Sequence, residues 1–221
     1  MGGAVLMIAI TDRNRSKEFA AWFQGQKIPL VLTTPGRGTA TTEVLDCLGL
    51  EATEKAVLML VAPQSRALVR RAERDLWLDV PGRGVLMTVP IGSIGGARAR
   101  DYLLRQEGEE MEQERTHELI VVITNSGRTD QVMDAARSAG AGGGTSIHAK
   151  GTGTALAKKF FGVTLSAEKE MVFILTEQEK RRAIMKAIMA QAGMQTDAQS
   201  LVFSLPVNDI AGLRRLDLEP Q

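Results

Sequence analysis

The chain has 221 residues, with 27 lysines and arginines against 26 aspartates and glutamates, and a single cysteine. This near balance of charge excludes the overall positive field that concentrates nucleic acid, and a lone cysteine excludes an internal disulfide framework. The most apolar run, residues 56–62, has the length of a strand and is too short to cross a bilayer. We therefore expect a cytoplasmic protein without a nucleic-acid partner.

The first half of the chain alternates strand-like and helix-like segments. Short β-branched and apolar runs predict strands at residues 5–10, 30–34, 56–61 and 85–89. Apolar residues at helical spacing predict helices at residues 15–24 and 65–76. The order is strand, helix, strand, strand, helix, strand.

The second half follows the same order. Strands are predicted at residues 119–124, 145–149, 170–175 and 201–205. One helix is predicted from Thr129, a capping residue, to Gly140, and another carries the stripe Ile184, Ile188 and Ala192 and ends at Gly193. The sequence therefore predicts an α+β protein of two tandem ferredoxin-like (βαββαβ) units, at residues 1–97 and 117–221, joined by a charged linker at 98–116. Since apolar residues occupy both parities of the strands, both faces of each sheet are expected to be buried, with the units packed sheet to sheet.

Short motifs recur at an offset of about 115 residues, as expected for two copies of one structural unit. Residues 10–16 return as 123–129, residues 35–40 as 150–155, and residues 90–98 as 206–214. A function is therefore to be sought in the repeated unit and in how its copies differ.

Four motifs of the second unit occur in an order that resembles the PII-like (nitrogen regulatory protein P-II-like) signalling family. They are Gly143-Gly144-Thr145, Lys150-Gly151-Thr152-Gly153, Glu168-Lys169-Glu170 and Pro206-Val207. The resemblance covers about residues 118–214, and the first unit is a weaker copy. It implies trimers of ferredoxin-like units that bind adenine nucleotides or other small molecules in clefts between neighbouring units.

The resemblance also implies roles for particular residues of the second unit. Gly143, Gly144 and Thr145 would line the base and ribose, and Gly151 and Gly153 would lie beside the phosphates. Glycines allow close backbone approach to an anion. Arg214 would bind phosphate and Glu170 can face the cleft. A tight turn between helix and strand remains the alternative interpretation of the glycines before Thr145.

The two copies have kept different parts of this pattern. The first unit keeps the glycine-rich loop before its last strand, Pro81-Gly82-Arg83-Gly84, which the second unit lacks. The second keeps the glycines and threonine of the second strand, which the first lacks. This complementarity suggests a composite site. In it Gly36, Gly38, Gly82, Arg83 and Gly84 would face Gly143, Thr145 and Arg214.

The expected function is that of a nonenzymatic regulator. The chain has no clustered acid and base, no tightly bound cofactor is expected, and ATP, ADP or AMP is the expected effector. The partner would be a protein such as a membrane transporter or an enzyme, and the assembly a homo-oligomer, either a trimer or a hexamer.

His117 and His148 have no second ligand at metal-binding spacing, so no metal site is expected. The alternative is an oligomer resembling CutA, structural or related to metals, without nucleotide binding.

One further pattern lies outside the family motifs. Four arginines, Arg66, Arg70, Arg71 and Arg74, recur at helical spacing on the predicted helix 65–76. A solvated helix face is one interpretation, and contact with an acidic partner or a phosphate is the other.

Overall fold

The structure, a computed structural model, describes residues 4–28, 31–39, 54–92, 116–150 and 168–213. These residues fall into two compact units. The first unit contains residues 4–28, 31–34, 56–92 and 207–213; the second contains residues 35–39, 54–55, 116–150 and 168–206. Each unit therefore includes a short segment that is distant from the rest of it in sequence. The bounds 1–97 and 117–221, and the linker, stay predictions.

The elements follow the predicted order. In the first part of the chain they are β1 (Ala4–Asp12), a 3-10 turn (Arg13–Arg15), α1 (Ser16–Gly25), β2 (Val31–Gly38), β3 (Glu54–Pro63), α2 (Arg66–Asp75) and β4 (Val85–Pro90). In the second part they are β5 (His117–Asn125), α3 (Thr129–Ser138), β6 (Thr145–Lys150), β7 (Glu168–Glu177), α4 (Gln178–Ala192), β8 (Leu201–Val207) and β9 (Asp209–Ala211). No described helix is both long and apolar enough to cross a membrane.

Strand order within each unit is that of a ferredoxin-like sheet. The first unit has the order β2-β3-β1-β4-β9, and the second has β8-β5-β7-β6 with the end of β2 at its edge. The registered pairs, such as β1 with β4 and β5 with β7, are antiparallel. The α+β class with ferredoxin-like units is thus confirmed.

The core on the helix side of each sheet follows directly from sequence periodicity. Val5, Met7 and Ala9 alternate along β1 and pack with Phe19 and Phe23, which lie one turn apart on α1. In the second unit the corresponding cluster is Ile120, Val122, Val132, Ala136, Val172, Ile174, Ile184 and Ile188 with their neighbours. These clusters hold the helices on one face of each sheet.

The other face of each sheet is buried as well. Ile8 and Ile10 point away from α1 and are 3% and 8% exposed, and Leu119 and Val121 on β5 are 1% and 2% exposed. The burial of both faces agrees with the run of apolar residues on both parities of these strands.

Candidate functional site

The predicted glycine loop of the first unit, Gly82-Arg83-Gly84, precedes β4. Gly82 and Gly84 have φ angles of 80° and 142°, which side chains rarely allow. A Cβ on Gly84 would also lie 2.7 Å from the carbonyl oxygen of Ile10. Both glycines are therefore required by the backbone, whatever the loop binds.

Thr11, at the end of β1, and Arg15, in the 3-10 turn that follows, hold this loop in place. Thr11 Oγ1 donates to the carbonyl of Arg83 at 2.8 Å, and Arg15 Nη1 donates to the same oxygen at 2.9 Å. Arg15 Nη2 also donates to the carbonyl of Leu76 at 3.1 Å. A single guanidinium thus ties both ends of the segment between α2 and β4. The residue between the glycines, Arg83, is exposed.

The end of the chain packs against the same loop. β9 pairs with β4 through Leu86 with Ala211, Met87 with Ile210 and Thr88 with Asp209. Next comes Gly212, whose φ is 82°; a Cβ there would overlap the carbonyl oxygen of Gly84 and lie 3.0 Å from that of Leu78. This backbone approach brings the last described residues onto the Gly82–Gly84 loop.

Side chains reinforce the docking of β9. Thr88 Oγ1 donates to Asp209 Oδ2 at 3.3 Å and accepts from the backbone nitrogen of Asp209 at 3.0 Å. Arg66 Nε donates to Asp209 Oδ1 at 3.3 Å. Thr88 is 1% exposed, so its contacts with Asp209 are sheltered from water, whereas the Arg66 side chain is 41% exposed.

The glycines of the second unit meet the end of β2. Gly38 lies opposite Thr145 and Arg37 opposite Ser146 in the antiparallel pairing of β2 with β6. The next residue, Thr39, donates from its backbone nitrogen to the carbonyl of Gly144 at 3.0 Å. Thr39 Oγ1 lies 2.9 Å from that carbonyl and accepts from the nitrogen of Gly144 at 2.8 Å.

Arg137 and the two central glycines complete this group. Arg137, from α3, donates to the carbonyl of Thr39. A Cβ on Gly144 would lie 2.9 Å from the carbonyl oxygen of Phe173, whereas a Cβ on Gly143 would meet nothing within 4 Å. Packing against β7 therefore accounts for Gly144 and leaves Gly143 open to approach from outside.

Glu170 lies beneath the start of α3 and is 8% exposed. Its Oε2 accepts from Thr129 Oγ1 at 2.6 Å, and its Oε1 lies 3.7 Å from His148 Nδ1. The residue before α3, Arg128, makes no side-chain cap. The Glu170 carboxylate is thus well placed to stabilise the positive end of the helix dipole.

A buried cation lies on the opposite face of β7. Lys169 is 7% exposed, and its Nζ donates to Asn125 Oδ1 at 2.5 Å. Burial lowers the pKa of the Lys169 ammonium. Asn125 Nδ2 in turn donates to the carbonyl of Asp197 at 2.9 Å.

The predicted site residues therefore form two described groups. Gly82, Arg83 and Gly84 lie in the first unit; Gly36, Gly38, Gly143, Gly144, Thr145 and Glu170 lie in the second. Gly151, Gly153 and Arg214 lie outside the described residues. Within residues 4–28, 31–39, 54–92, 116–150 and 168–213, no three His, Cys, Asp or Glu side chains form a possible metal cluster.

Sequence reasoning missed the residues that hold these loops, namely Thr11, Arg15, Thr39 and Arg137. A signal for the first pair exists in the repeat, since Thr11 and Arg15 correspond to Thr124 and Arg128. Thr124 Oγ1 donates to the carbonyl of Ala198 at 3.0 Å, and Arg128 Nη2 lies 3.7 Å from Asp197 Oδ2. Each threonine thus binds the loop that precedes the last strand of its unit.

Comparison with known proteins gives one family match. Residues 117–216 match the family model described as nitrogen regulatory protein P-II. No curated protein matches the chain.

Two solved structures are similar over nearly the whole chain. An unknown protein from Galdieria sulphuraria is 11% identical, with a TM-score of 0.28 over 94% of this chain and 99% of its own. An anthrone oxidase-like protein is 10% identical, with a TM-score of 0.20 over 99% of this chain and 97% of its own. TM-scores of this size do not establish a shared fold.

Proposed function

Because residues 117–216 match the family model of nitrogen regulatory protein P-II, we propose that the chain is a regulatory protein, not an enzyme, that binds a small anionic effector and controls a partner protein. An adenine nucleotide is the proposed effector, in keeping with the family. Duplication of the domain, a cytoplasmic location and assembly into a homo-oligomer, a trimer or a hexamer, belong to the same proposal. Light scattering of the purified protein measures the assembly.

The observation that carries the proposal is the contact of Gly212 with Gly84. Arg214 follows Gly212 by two residues in the sequence, and Arg83 lies between the loop glycines. The contact therefore supports a site in which the two arginines serve one ligand. Guanidinium groups bind phosphate through paired donors, and a glycine loop admits close approach.

The second group of glycines supports the regulatory part of the proposal. Thr39 is held on Gly144 by hydrogen bonds of its backbone and side chain, and Arg137 binds its carbonyl. An effector that approaches Gly143 would change the strength of this attachment. Binding energy would thus be coupled to the position of the chain that follows Gly38.

Isothermal titration calorimetry with ATP, ADP, AMP and adenosine tests the effector. We expect the phosphorylated compounds to bind and adenosine to bind more weakly. Arg214→Ala should weaken binding by about 1.5–3 kcal/mol, the loss typical of a charged hydrogen bond. Arg182→Ala, at an exposed position of α4, is the matched control and should bind as the unaltered protein does. The effector proposal fails if no nucleotide binds, or if both variants bind equally well.

A further inference from the structure

The strand β8 of the second unit exposes apolar side chains along an open edge. It stands at one end of the strand order and pairs, among the described residues, with β5 alone. Leu201 and Phe203 are 43% and 36% exposed, and Val202 and Ser204 are half-buried. An open edge presents backbone N–H and C=O groups without partners, and native proteins usually cover it.

The equivalent strand of the first unit, β4, has its edge covered. The repeat that relates residues 90–98 to 206–214 also relates β4 to β8, with Leu86 on Val202, Met87 on Phe203 and Thr88 on Ser204. The three residues of β4 pair with β9 and are 0%, 1% and 1% exposed. Among the described residues, β8 has no strand that does for it what β9 does for β4.

The same repeat identifies a counterpart of β9 in the sequence. Ser93-Ile94-Gly95-Gly96 corresponds to Asp209-Ile210-Ala211-Gly212 and lies outside the described residues. The isoleucine recurs at the same place, and so does the final glycine. Gly212 needs to be glycine because its φ is 82° and a Cβ would overlap the carbonyl oxygen of Gly84. Residues 93–96 therefore have what β9 needs at its centre and at its end.

The register of β4 with β9 leads to the same segment by another route. In this antiparallel pair Thr88 lies opposite Asp209. The other edge of β4 keeps its pairing with β1 as far as Ile91, whose nitrogen donates to the carbonyl of Ala4 at 3.0 Å. Continued past Ile91, the register of β4 with β9 gives three further pairs: Ser93 with Ser204, Ile94 with Phe203 and Gly95 with Val202. The repeat gives these same three pairs.

An acceptor without a partner lies where the segment would end. In the first unit, Gly212 approaches the carbonyls of Gly84 and Leu78, in the loop before β4. The corresponding loop of the second unit, residues 194–200, contains Gln199, whose buried Oε1 has no hydrogen-bond partner among the described residues. Because buried polar atoms are nearly always hydrogen-bonded, this position favours a donor that arrives with the counterpart of Gly212.

We propose that residues 93–96 of the same chain add a strand to β8, with Ile94 opposite Phe203, as β9 adds one to β4. The segment of the same chain is the occupant because it follows β4 directly and the register of β4 with β9 continues into it. The added strand covers the open edge of β8 and the Phe203 side chain. The inference does not depend on the proposed function, which concerns a ligand and a partner.

Engineered disulfides test the pairing on the full chain, after the native cysteine is changed to serine. Ser93→Cys with Ser204→Cys places two thiols at positions that the proposal puts opposite each other. Thr88→Cys with Asp209→Cys is the matched positive control, because Thr88 Oγ1 and Asp209 Oδ2 lie 3.3 Å apart. Both pairs should form a disulfide under mild oxidation, since opposite positions of an antiparallel pair have the required spacing.

A slipped pair is the control for register. In Ile94→Cys with Ser204→Cys the two side chains should point to opposite faces of the sheet. We expect the pair at Ser93 and Ser204 to oxidise about tenfold faster or more, and non-reducing electrophoresis to show a single chain. Equal rates in the two pairs would overturn the proposal. A disulfide between two chains would assign the edge of β8 to a second copy and would overturn it as well.

Amide hydrogen exchange gives a second test without new thiols. Gly96→Val should detach the segment, because valine rarely adopts the conformation that Gly212 has. Exchange of at least one amide among residues 202–204 should then become about tenfold faster, with exchange in α4 unchanged. Gly92→Val is the matched control, because a Cβ on Gly92 meets nothing within 4 Å. Exchange that stays the same in Gly96→Val, or rises equally in both variants, would overturn the proposal.

Discussion

Gly212 packs so tightly against Gly84 that a Cβ on Gly212 would overlap the carbonyl oxygen of Gly84. Gly84 precedes β4 of the first unit, whereas Gly212 follows β9, within the residues 117–216 that match the P-II family model. A segment that begins in one half of the sequence thus completes the unit built from the other half. The stability of the first unit should therefore depend on the last described residues.

Gly212→Ala tests this dependence. Alanine at a φ of 82° costs about 1–2 kcal/mol from backbone strain alone, and the overlap with the Gly84 carbonyl adds to that cost. The free energy of unfolding, measured in urea, should fall by more than the strain term. Gly127→Ala is the matched control, because Gly127 has a φ of 79° and nothing within 4 Å of a Cβ. Equal losses in the two variants would show that the contact with Gly84 adds nothing.

Much of the fold could be predicted from local sequence patterns. Val5, Met7 and Ala9 share one face of a strand because strand side chains alternate, and Phe19 and Phe23 share one face of a helix. The glycine loop Gly82-Arg83-Gly84 could also be predicted, because glycines immediately before a strand indicate a turn. These features depend only on neighbours in sequence.

The partners of β2 and β4 could not be predicted in this way. Thr39 binds Gly144 across 105 residues, and Thr88 binds Asp209 across 121. The pairing of an edge strand depends on which backbone N–H and C=O groups have no partner once the rest of the sheet has formed. The periodicity of apolar residues in the sequence contains no information about those groups. The hydrogen bond from Thr129 to Glu170 could not be predicted for the same reason, because the two residues lie on different elements that are distant in sequence.

The equivalent threonines Thr11 and Thr124 should differ in importance. Thr124→Val leaves the carbonyl of Ala198 without its side-chain donor and removes an acceptor from Ser200 Oγ, 3.0 Å away, in a fully buried position. We expect a loss of about 1–3 kcal/mol in the free energy of unfolding. Thr11→Val should cost about 1 kcal/mol or less, because Arg15 still donates to Arg83. Urea denaturation of both variants measures the difference, and a larger loss for Thr11→Val would contradict the assignment.

Lys169 should destabilise the fold while it is charged. Burial lowers the pKa of its ammonium in the folded state below the usual 10.5, so the unfolded chain binds the proton more tightly. The free energy of unfolding is therefore highest above pH 10.5, where Lys169 is neutral in both states. It decreases as the pH falls from 10.5 through the lowered pKa, because the unfolded chain takes up the proton first. Lys169→Met removes this buried charge and should therefore be more stable than the unaltered protein at pH 7.

Urea denaturation at a series of pH values checks this expectation. The advantage of Lys169→Met should be constant at neutral pH and shrink as the pH rises towards 10.5. Lys186→Met, at an exposed position of α4, is the control for alkaline effects on the rest of the protein. An advantage that grows with pH would contradict the sign of the shift.

Thr39 should control how firmly the end of β2 is attached to β6. Thr39→Val removes the hydroxyl that accepts from the nitrogen of Gly144 and leaves that donor without its partner. Because Arg37 and Gly38 are the residues of β2 in register with β6 in the described part of the chain, the loss should open this edge locally and leave the rest of the unit folded. Amide hydrogen exchange of Gly144 should become about tenfold faster, whereas exchange in β5 should not change. Thr33→Val, at an exposed position of the same strand, is the control.

A double-mutant cycle with Arg137→Ala shows whether the two attachments act together. Arg137 binds the carbonyl of Thr39, and the Thr39 hydroxyl binds Gly144, so each bond holds the residue in place for the other. The free-energy cost of the double change, obtained from exchange rates, should therefore differ from the sum of the single costs by about 0.5 kcal/mol or more. Strict additivity would mean that the two bonds are independent, and that Thr39 cannot link α3 to the chain that follows Gly38.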